Sequence, residues 1–553
     1  MKRINPAYNF PIVTFSGSDN AKMLTRIFPE NLIDIARKVE TVGGEFPKGF
    51  IHTSTIRHEF TNYYNQAWTR DGGRGLIELA RFGDSVRARA VAEYFSTHIT
   101  HGDHFGRTTV ENEYPKHFEA DGNALILIGC WRAYLINEKD EEFGKALLER
   151  LFPVFHYFEK GMNECTSGDL IPCESELSGN PNTPYVVYGI YPNFAALCAI
   201  AAFENLADDL GDIDKLNYLN ALEKRLAKGI EEKLISGKTE SKTEQGAFIN
   251  GIDENGAAFD TADWEELHFD AYCSTRQLCG ILLSDVSEYG LSDSFEKIHR
   301  KTFDYINREM AKSPYYRKYG FVGVNCFHGA GGRHDETMCG YGQSFFTQAA
   351  LLADDTASAT KLIGGMCRLA YDGDVVIPLT NDLSPFIFHE CFNYDNFEQG
   401  LDHTFGVLKN SRPHVSDNPG DEGNLVQEAE AVKVIALIIG VENTFDGKLR
   451  LVPRLPWDFD GITVKNYPFI DRGGRLKKLD FFISHHREQR CCTYSLHSDD
   501  ELEDIDIRIG PFPYLCNVVL ENNMSVEKGI NSTFVWVKGL SGRDITGSVC
   551  LDF

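Results

Sequence analysis

Tyr64-Asn65-Gln66-Ala67-Trp68-Thr69-Arg70-Asp71-Gly72-Gly73-Arg74-Gly75 is the stretch on which the reading of the fold turns. A long loop, rich in aromatic and charged residues, runs here into an amphipathic segment whose spacing predicts a helix over 74–84. Outward from it the same alternation recurs. Apolar residues at i, i+3 and i+4 predict helices over 20–40, 86–99, 122–137, 141–160, 185–210, 213–235, 266–284, 293–312, 340–354, 356–371 and 425–440, with another near 394–409. Long loops over 51–73, 100–121, 161–184, 236–265, 313–339 and 372–424 precede every second helix, whereas the connections 138–140, 211–212 and 354–356 are short. This pattern predicts a mainly α fold, an (α/α)6 toroid of six helical hairpins with its long loops gathered on one rim. Long loops in a compact chain are usually functional.

After about residue 445 the period changes from helical to alternating. Lys448 to Pro453, Gly461 to Val464, Leu479 to Ile483 and Thr533 to Val537 read as short strands between turn residues. The expected division is a helical toroid over 1–445 and a small, sandwich-like all-β domain over 446–553.

Composition narrows the partners. The chain has 553 residues, 42% of them hydrophobic, enough for a large core. Its formal net charge of -26, with no offsetting Lys/Arg cluster, argues against nucleic acid. The apolar run Val432 to Val441 is interrupted by Lys433 and too short to span a bilayer, so no membrane partner is expected. The start Met1-Lys2-Arg3-Ile4-Asn5-Pro6 lacks a signal-peptide apolar core, and the 14 cysteines are scattered. They are expected to be reduced, in a cytoplasmic protein. No Cys/His set has zinc spacing, so no metal or other cofactor is expected.

The rim loops carry the chemistry. The Trp68 indole suits stacking on a pyranose face, and Arg70 and Asp71 suit donating to and accepting from its hydroxyls; an ordinary ion pair at a helix start is the plainer reading. The second loop holds Glu113, Tyr114, His117, Glu119 and Asp121, the last also readable as a helix cap. The third, Cys173-Glu174-Ser175-Glu176, sets two carboxylates beside apolar Ile171, Pro172 and Leu177. Such surroundings raise a carboxyl pKa, as a general acid requires; a solvated acidic loop is the alternative. Asp263-Trp264-Glu265-Glu266 closes the fourth. The fifth contains Gly332-Arg333-His334-Asp335-Glu336, where glycines allow close approach to a ligand and Arg333 can clamp hydroxyls. The sixth offers Glu390 and Glu422. Carboxylates, aromatics and an arginine around a concave centre suit hydrolysis of a glycosidic bond.

Four of these segments resemble the glucoamylases, glycoside hydrolase family 15. Tyr63-Tyr64 with Trp68-Thr69-Arg70-Asp71 is similar to that family's substrate-binding segment, and Asp121-Gly122-Asn123-Ala124-Leu125 to its Asp-Gly-Pro-Ala-Leu. Gly332-Arg333-His334-Asp335-Glu336 resembles its Gly-Arg-Tyr segment, and His389-Glu390-Cys391-Phe392 the Ser-Glu-Gln-Phe that carries its general base. The order agrees over about 60–440. The family's Trp-Glu-Glu acid motif is replaced here by Cys173-Glu174-Ser175-Glu176, while the literal Trp264-Glu265-Glu266 stands before a later helix. The following β-domain resembles rhamnosidase-type six-hairpin glycosidases. The resemblance implies an exo-acting, inverting glycoside hydrolase that takes a terminal sugar from an oligosaccharide or glycoside. Glu174 or Glu176 would be the acid and Glu390 or Glu422 the base, with Trp68, Arg70, Asp71, Asp121, Arg333 and Asp335 binding substrate. Two alternatives stay open: a sugar isomerase or epimerase using His328, His334, His389 and His403, and a sugar-binding protein without catalysis.

Overall fold

The computed structural model describes residues 8–54, 67–109, 120–166, 168–174, 186–258, 293–312, 314–322, 337–370, 386–388, 391–393, 423–443 and 448–552. The expected helices over 266–284 and 394–409 lie outside them. The helical part contains α1 (Asp19–Arg37), α2 (Thr69–Arg81), α3 (Ser85–Thr97), α4 (Ala120–Ile136), α5 (Glu141–Leu151), α6 (Pro153–Glu164), α7 (Ile190–Asp209) and α8 (Ile213–Lys233). It continues with α9 (Asp293–Met310), α10 (Pro314–Tyr319), α11 (Gly340–Leu352), α12 (Thr356–Leu369) and α13 (Leu425–Ile439). The helix expected over 141–160 is two, because Pro153 has no N–H to continue α5 and starts α6 instead.

Two kinds of helix differ in how they meet water. α4, α7 and α13 are buried almost all round and packed on several sides. α3, α5 and α8 bury one face, and Asp84, Asp140 and Asp212 cap their N-termini. α2 packs on α4, α4 on α7, α11 on α13, and α13 back on α2. α7 is long and apolar enough to cross a membrane, but 89% of that window is buried in the protein.

These inner helices run side by side in the same direction. The Thr69 hydroxyl lies so close to Gly122 that a Cβ there would meet it at 2.5 Å, which joins the first turns of α2 and α4. Lower down, Trp131 of α4 donates to Asn205 of α7 at 3.1 Å. At mid-height, Arg74 of α2 reaches Glu430 of α13 at 2.6 Å, and Gln348 of α11 donates to the same carboxylate at 2.7 Å. Burial lowers the Arg74 pKa, but Glu430 and Glu78 outweigh it and the guanidinium is held above its usual value.

The β part is one eight-stranded sheet. Its strands are β1 (Ile12–Gly17), β7 (Val441–Asn443), β8 (Leu449–Leu451), β9 (Phe459–Ile470), β10 (Leu476–His486), β11 (Cys491–Pro513), β12 (Met524–Lys528) and β13 (Ser532–Cys550). The order is β1-β9-β10-β11-β13-β12, with β8 alongside β11 and β7 alongside β8. β11 and β13 form one long bent ladder, interrupted by four register shifts. β1 comes from the stretch assigned by sequence to the helical part. It pairs antiparallel with β9, Val13 opposite Val464, and buries Val13 and Phe15 while Ile12 and Thr14 face out. The sheet thus draws on both ends of the chain.

One cysteine expectation is corrected. Cys491 and Cys550 stand directly opposite each other on β11 and β13 and form a disulfide. Cross-strand neighbours of this kind bring two sulfurs within bonding reach. Among the described residues, Cys130, Cys165, Cys367, Cys492 and Cys516 are free thiols.

Candidate active site

The first long loop enters α2 with Trp68 extended at the N-cap, where it forms an isolated bridge with Thr108. The Thr69 N–H donates to the Arg107 carbonyl at 2.8 Å, and its hydroxyl donates to the Gly106 carbonyl at 3.0 Å. The second loop therefore lies against the first. Trp68 stays half-buried, and Asp71 is only 7% exposed.

Arg70 resolves two of the plainer readings. It pairs with Asp121, not with its neighbour in sequence: Nε lies 2.5 Å from Oδ2 and Nη2 3.3 Å from Oδ1. Asp121 is the second residue of α4 and not its cap. A fork of this kind fixes the guanidinium plane at the helix ends.

Thr53 joins the first loop to the last. Its hydroxyl accepts from the Trp68 N–H at 3.3 Å, and its carbonyl accepts from the Leu425 N–H at 2.7 Å, at the start of α13. The flanks of the two candidate bases also meet. The Gly423 N–H, just after Glu422, donates to the carbonyl of Phe388 at 3.0 Å, two residues before Glu390. Two short strands, β5 (Thr337–Cys339) and β6 (Cys391–Asn393), pair with Cys339 opposite Cys391, tying the fifth loop to the sixth.

Glu174 is not in an open loop. It ends β2 (Cys173–Glu174), whose partner is β3 (Val186–Gly189), with Glu174 opposite Val186. β3 in turn pairs with β4 (Gly251–Ile252) at the start of α7. Glu176, Glu390, Glu422, Arg333 and Asp335 lie outside the described residues, as do His328, His334, His389 and His403.

One set of residues went unread in the sequence. Asn123, Asn193 and Gln343 are each the fourth residue of an inner helix, α4, α7 and α11. Each is fully buried and clamps the backbone of the loop before its helix. Asn123 accepts from the Phe105 N–H at 2.8 Å and donates to its carbonyl at 2.9 Å. Asn193 does the same to Ile171 at 2.7 and 3.0 Å. Gln343 accepts from the Val322 N–H and donates to the Gly320 carbonyl, both at 2.9 Å. The signal available in the sequence was an amide near the start of each helix that follows a long loop.

No protein-family model and no curated protein sequence matches the chain. Solved structures do share its fold. A GH78 family rhamnosidase of Bacillus sp. GL1 superposes with a TM-score of 0.50 at 12% identity, over 85% of this chain and 40% of that one. The alpha-L-rhamnosidase from Dictyoglumus thermophilum gives 0.52 at 10% identity, over 97% and 51%. The chain thus spans about half, or less, of the length of these structures.

Proposed function

We propose that the chain is an exo-acting glycoside hydrolase of the six-hairpin kind, cleaving a terminal sugar from an oligosaccharide or glycoside with inversion. The observation that carries this reading is the convergence at Thr53. There the Trp68 loop, which abuts the Arg70–Asp121 fork, meets the chain leading into α13, just past Glu422. The amide clamp repeated on α4, α7 and α11 supports a ring of equivalent hairpins, the (α/α)6 toroid. The rhamnosidase fold likeness favours the six-hairpin group as a whole over the glucoamylases in particular.

In this reading Trp68 offers an aromatic face, and Arg70, oriented by Asp121, and Asp71 bracket the sugar hydroxyls; Arg333 and Asp335 also bind them. Glu174 or Glu176 protonates the departing oxygen, and Glu390 or Glu422 takes a proton from the attacking water. An inverting pair stands roughly 6.5–9.5 Å apart to admit that water.

The test is hydrolysis of aryl glycosides, including the α-L-rhamnoside, by the wild type and by single Glu174→Gln, Glu176→Gln, Glu390→Gln and Glu422→Gln variants. The first-formed anomer is followed by NMR. Loss of the acid should spare activated aryl leaving groups; loss of the base should not, and azide should restore turnover. Near-normal activity in all four variants would overturn the assignment, and a retained configuration would overturn inversion.

A further inference from the structure

A cavity of about 550 Å³ opens in the β part, away from the helical rim. Its walls come from the chain entering β9, the β10–β11 turn, the segment after β11 and the end of β13. That volume falls in the range of small-ligand sites. Its walls are braced. The Leu551 N–H donates to the Arg490 carbonyl at 2.9 Å, the Asp552 N–H donates to the Asn517 carbonyl at 3.0 Å, and the Cys491–Cys550 disulfide crosslinks the strands beside them. A cavity held this way loses little freedom when it is filled.

The lining combines two chemistries. Half-buried Trp457 and the edge of buried Phe512 supply aromatic surface. Arg487 and Arg490 donate, Asp552 accepts, and Asn517 does both. Arg487 is held in place: its guanidinium donates to the carbonyls of Trp457 and Phe459, and it lies 3.3 Å from Asp460. Burial pushes the His485 imidazole down to about 4, so at neutral pH that ring is polar but uncharged. A ligand that suits these walls has an apolar face and a rim of groups that both donate and accept hydrogen bonds. A pyranose has both.

We propose that this cavity is a second, non-catalytic saccharide site that holds a neutral sugar unit against Trp457, between Arg490 and Asp552. Binding there does not require the helical rim to be catalytic. It would hold a second unit of an oligosaccharide, or a neighbouring chain of a polymer.

Saturation-transfer NMR on the full-length protein tests this, with L-rhamnose, D-glucose, D-galactose and D-mannose as probes. At least one sugar should receive saturation in the Asp71→Ala variant, where the rim site is impaired, and lose it when Trp457→Ala is added to that variant. Arg490→Gln and Asp552→Asn, at exposed positions, should each weaken binding about fivefold or more if the contact is a direct hydrogen bond. They also keep the test open should Trp457→Ala fold poorly. Trp457→Ala should leave hydrolysis of a small aryl glycoside unchanged. Saturation that persists when each of the three β-part substitutions is added to Asp71→Ala, or is seen for none of the four sugars with Asp71→Ala alone, overturns the second site. Absence of hydrolysis alone would count against the catalytic reading and leave this one standing.

Discussion

Arg70 shows how much one side chain's partner decides. Beside Asp71 in sequence, it forms its fork with Asp121, 51 positions away. Asp71 and Asp121 should therefore differ on mutation. Asp71→Ala should cut kcat/KM by about 2–4 kcal/mol of transition-state stabilisation, the range for lost charge-assisted contacts, with little change in Tm. The Asp121 side chain is 1% exposed and its partner 14%. Asp121→Ala breaks a largely buried charge-assisted pair and should lower folding stability by about 1.5–3 kcal/mol, seen in denaturant unfolding. An Asp71→Ala variant with wild-type turnover would remove that residue from the site. Both positions were legible as candidates from residue type and order. Which carboxylate would take Arg70 was not, because α2 and α4 had first to be set side by side.

At the scale of the element, the inner helices are positioned by their first turns. Asn193 satisfies both the N–H and the C=O of Ile171, groups that lie away from water. Asn193→Leu leaves them unmet, at a cost of about 1–3 kcal/mol for each buried group. The variant should show faster amide exchange around Leu170 to Cys173, and the Glu174 loop should lose its fixed position, with kcat falling more than KM rises. Unchanged exchange in that segment would show that the clamp does not set the loop. Gly73 tests contact between elements. A Cβ there would sit 2.7 Å from the Leu125 carbonyl carbon, a backbone atom that cannot step aside. Gly73→Ala should push α2 off α4 and lower stability by about 1–3 kcal/mol. The helices themselves were readable because apolar spacing is local. The amide clamps were not, since a buried Asn and a solvent-facing Asn look alike until their surroundings are known.

Across the whole molecule, helices and sheet are joined by a buried pair. Arg508 of β11 forks onto Asp354, between α11 and α12, at 2.7 and 2.9 Å, with both side chains 3% exposed. Burial pushes the Asp354 carboxyl up, but Arg508, with Arg454 and Arg300, outweighs it and holds the group below its usual value of 3.8. A depressed carboxylate stabilises the fold above the unfolded-state pKa and loses that contribution as pH falls through the folded-state value. Acid titration of stability should therefore steepen below about pH 3.8, and Asp354→Asn should flatten that limb while costing stability at neutral pH. An unaltered acid limb in the variant would place the acid sensitivity elsewhere. The Cys491–Cys550 bridge closes a separation of 59 residues. Its removal by Cys550→Ser should cost about 2–4 kcal/mol, measured as a lower Tm without reductant. Thiol counting on protein from its native source would show whether the bridge stands there, which reductive compartments disfavour.

Among the described residues, the order of helices and the passage to strands near residue 445 follow from the sequence alone. Each depends on neighbours within a turn or two, where periodicity and turn residues act directly. The pairing of β1 with β9, the Arg70–Asp121 fork, the crosslink between β11 and β13, and the cavity over Trp457 were decided only by the tertiary structure. Each joins segments tens to hundreds of residues apart. A strand's own pattern says which face it buries, and an arginine's type says that it needs an acceptor, but neither names the partner. That choice belongs to the packing of the whole chain, where burial makes one arrangement of distant groups cheaper than the rest.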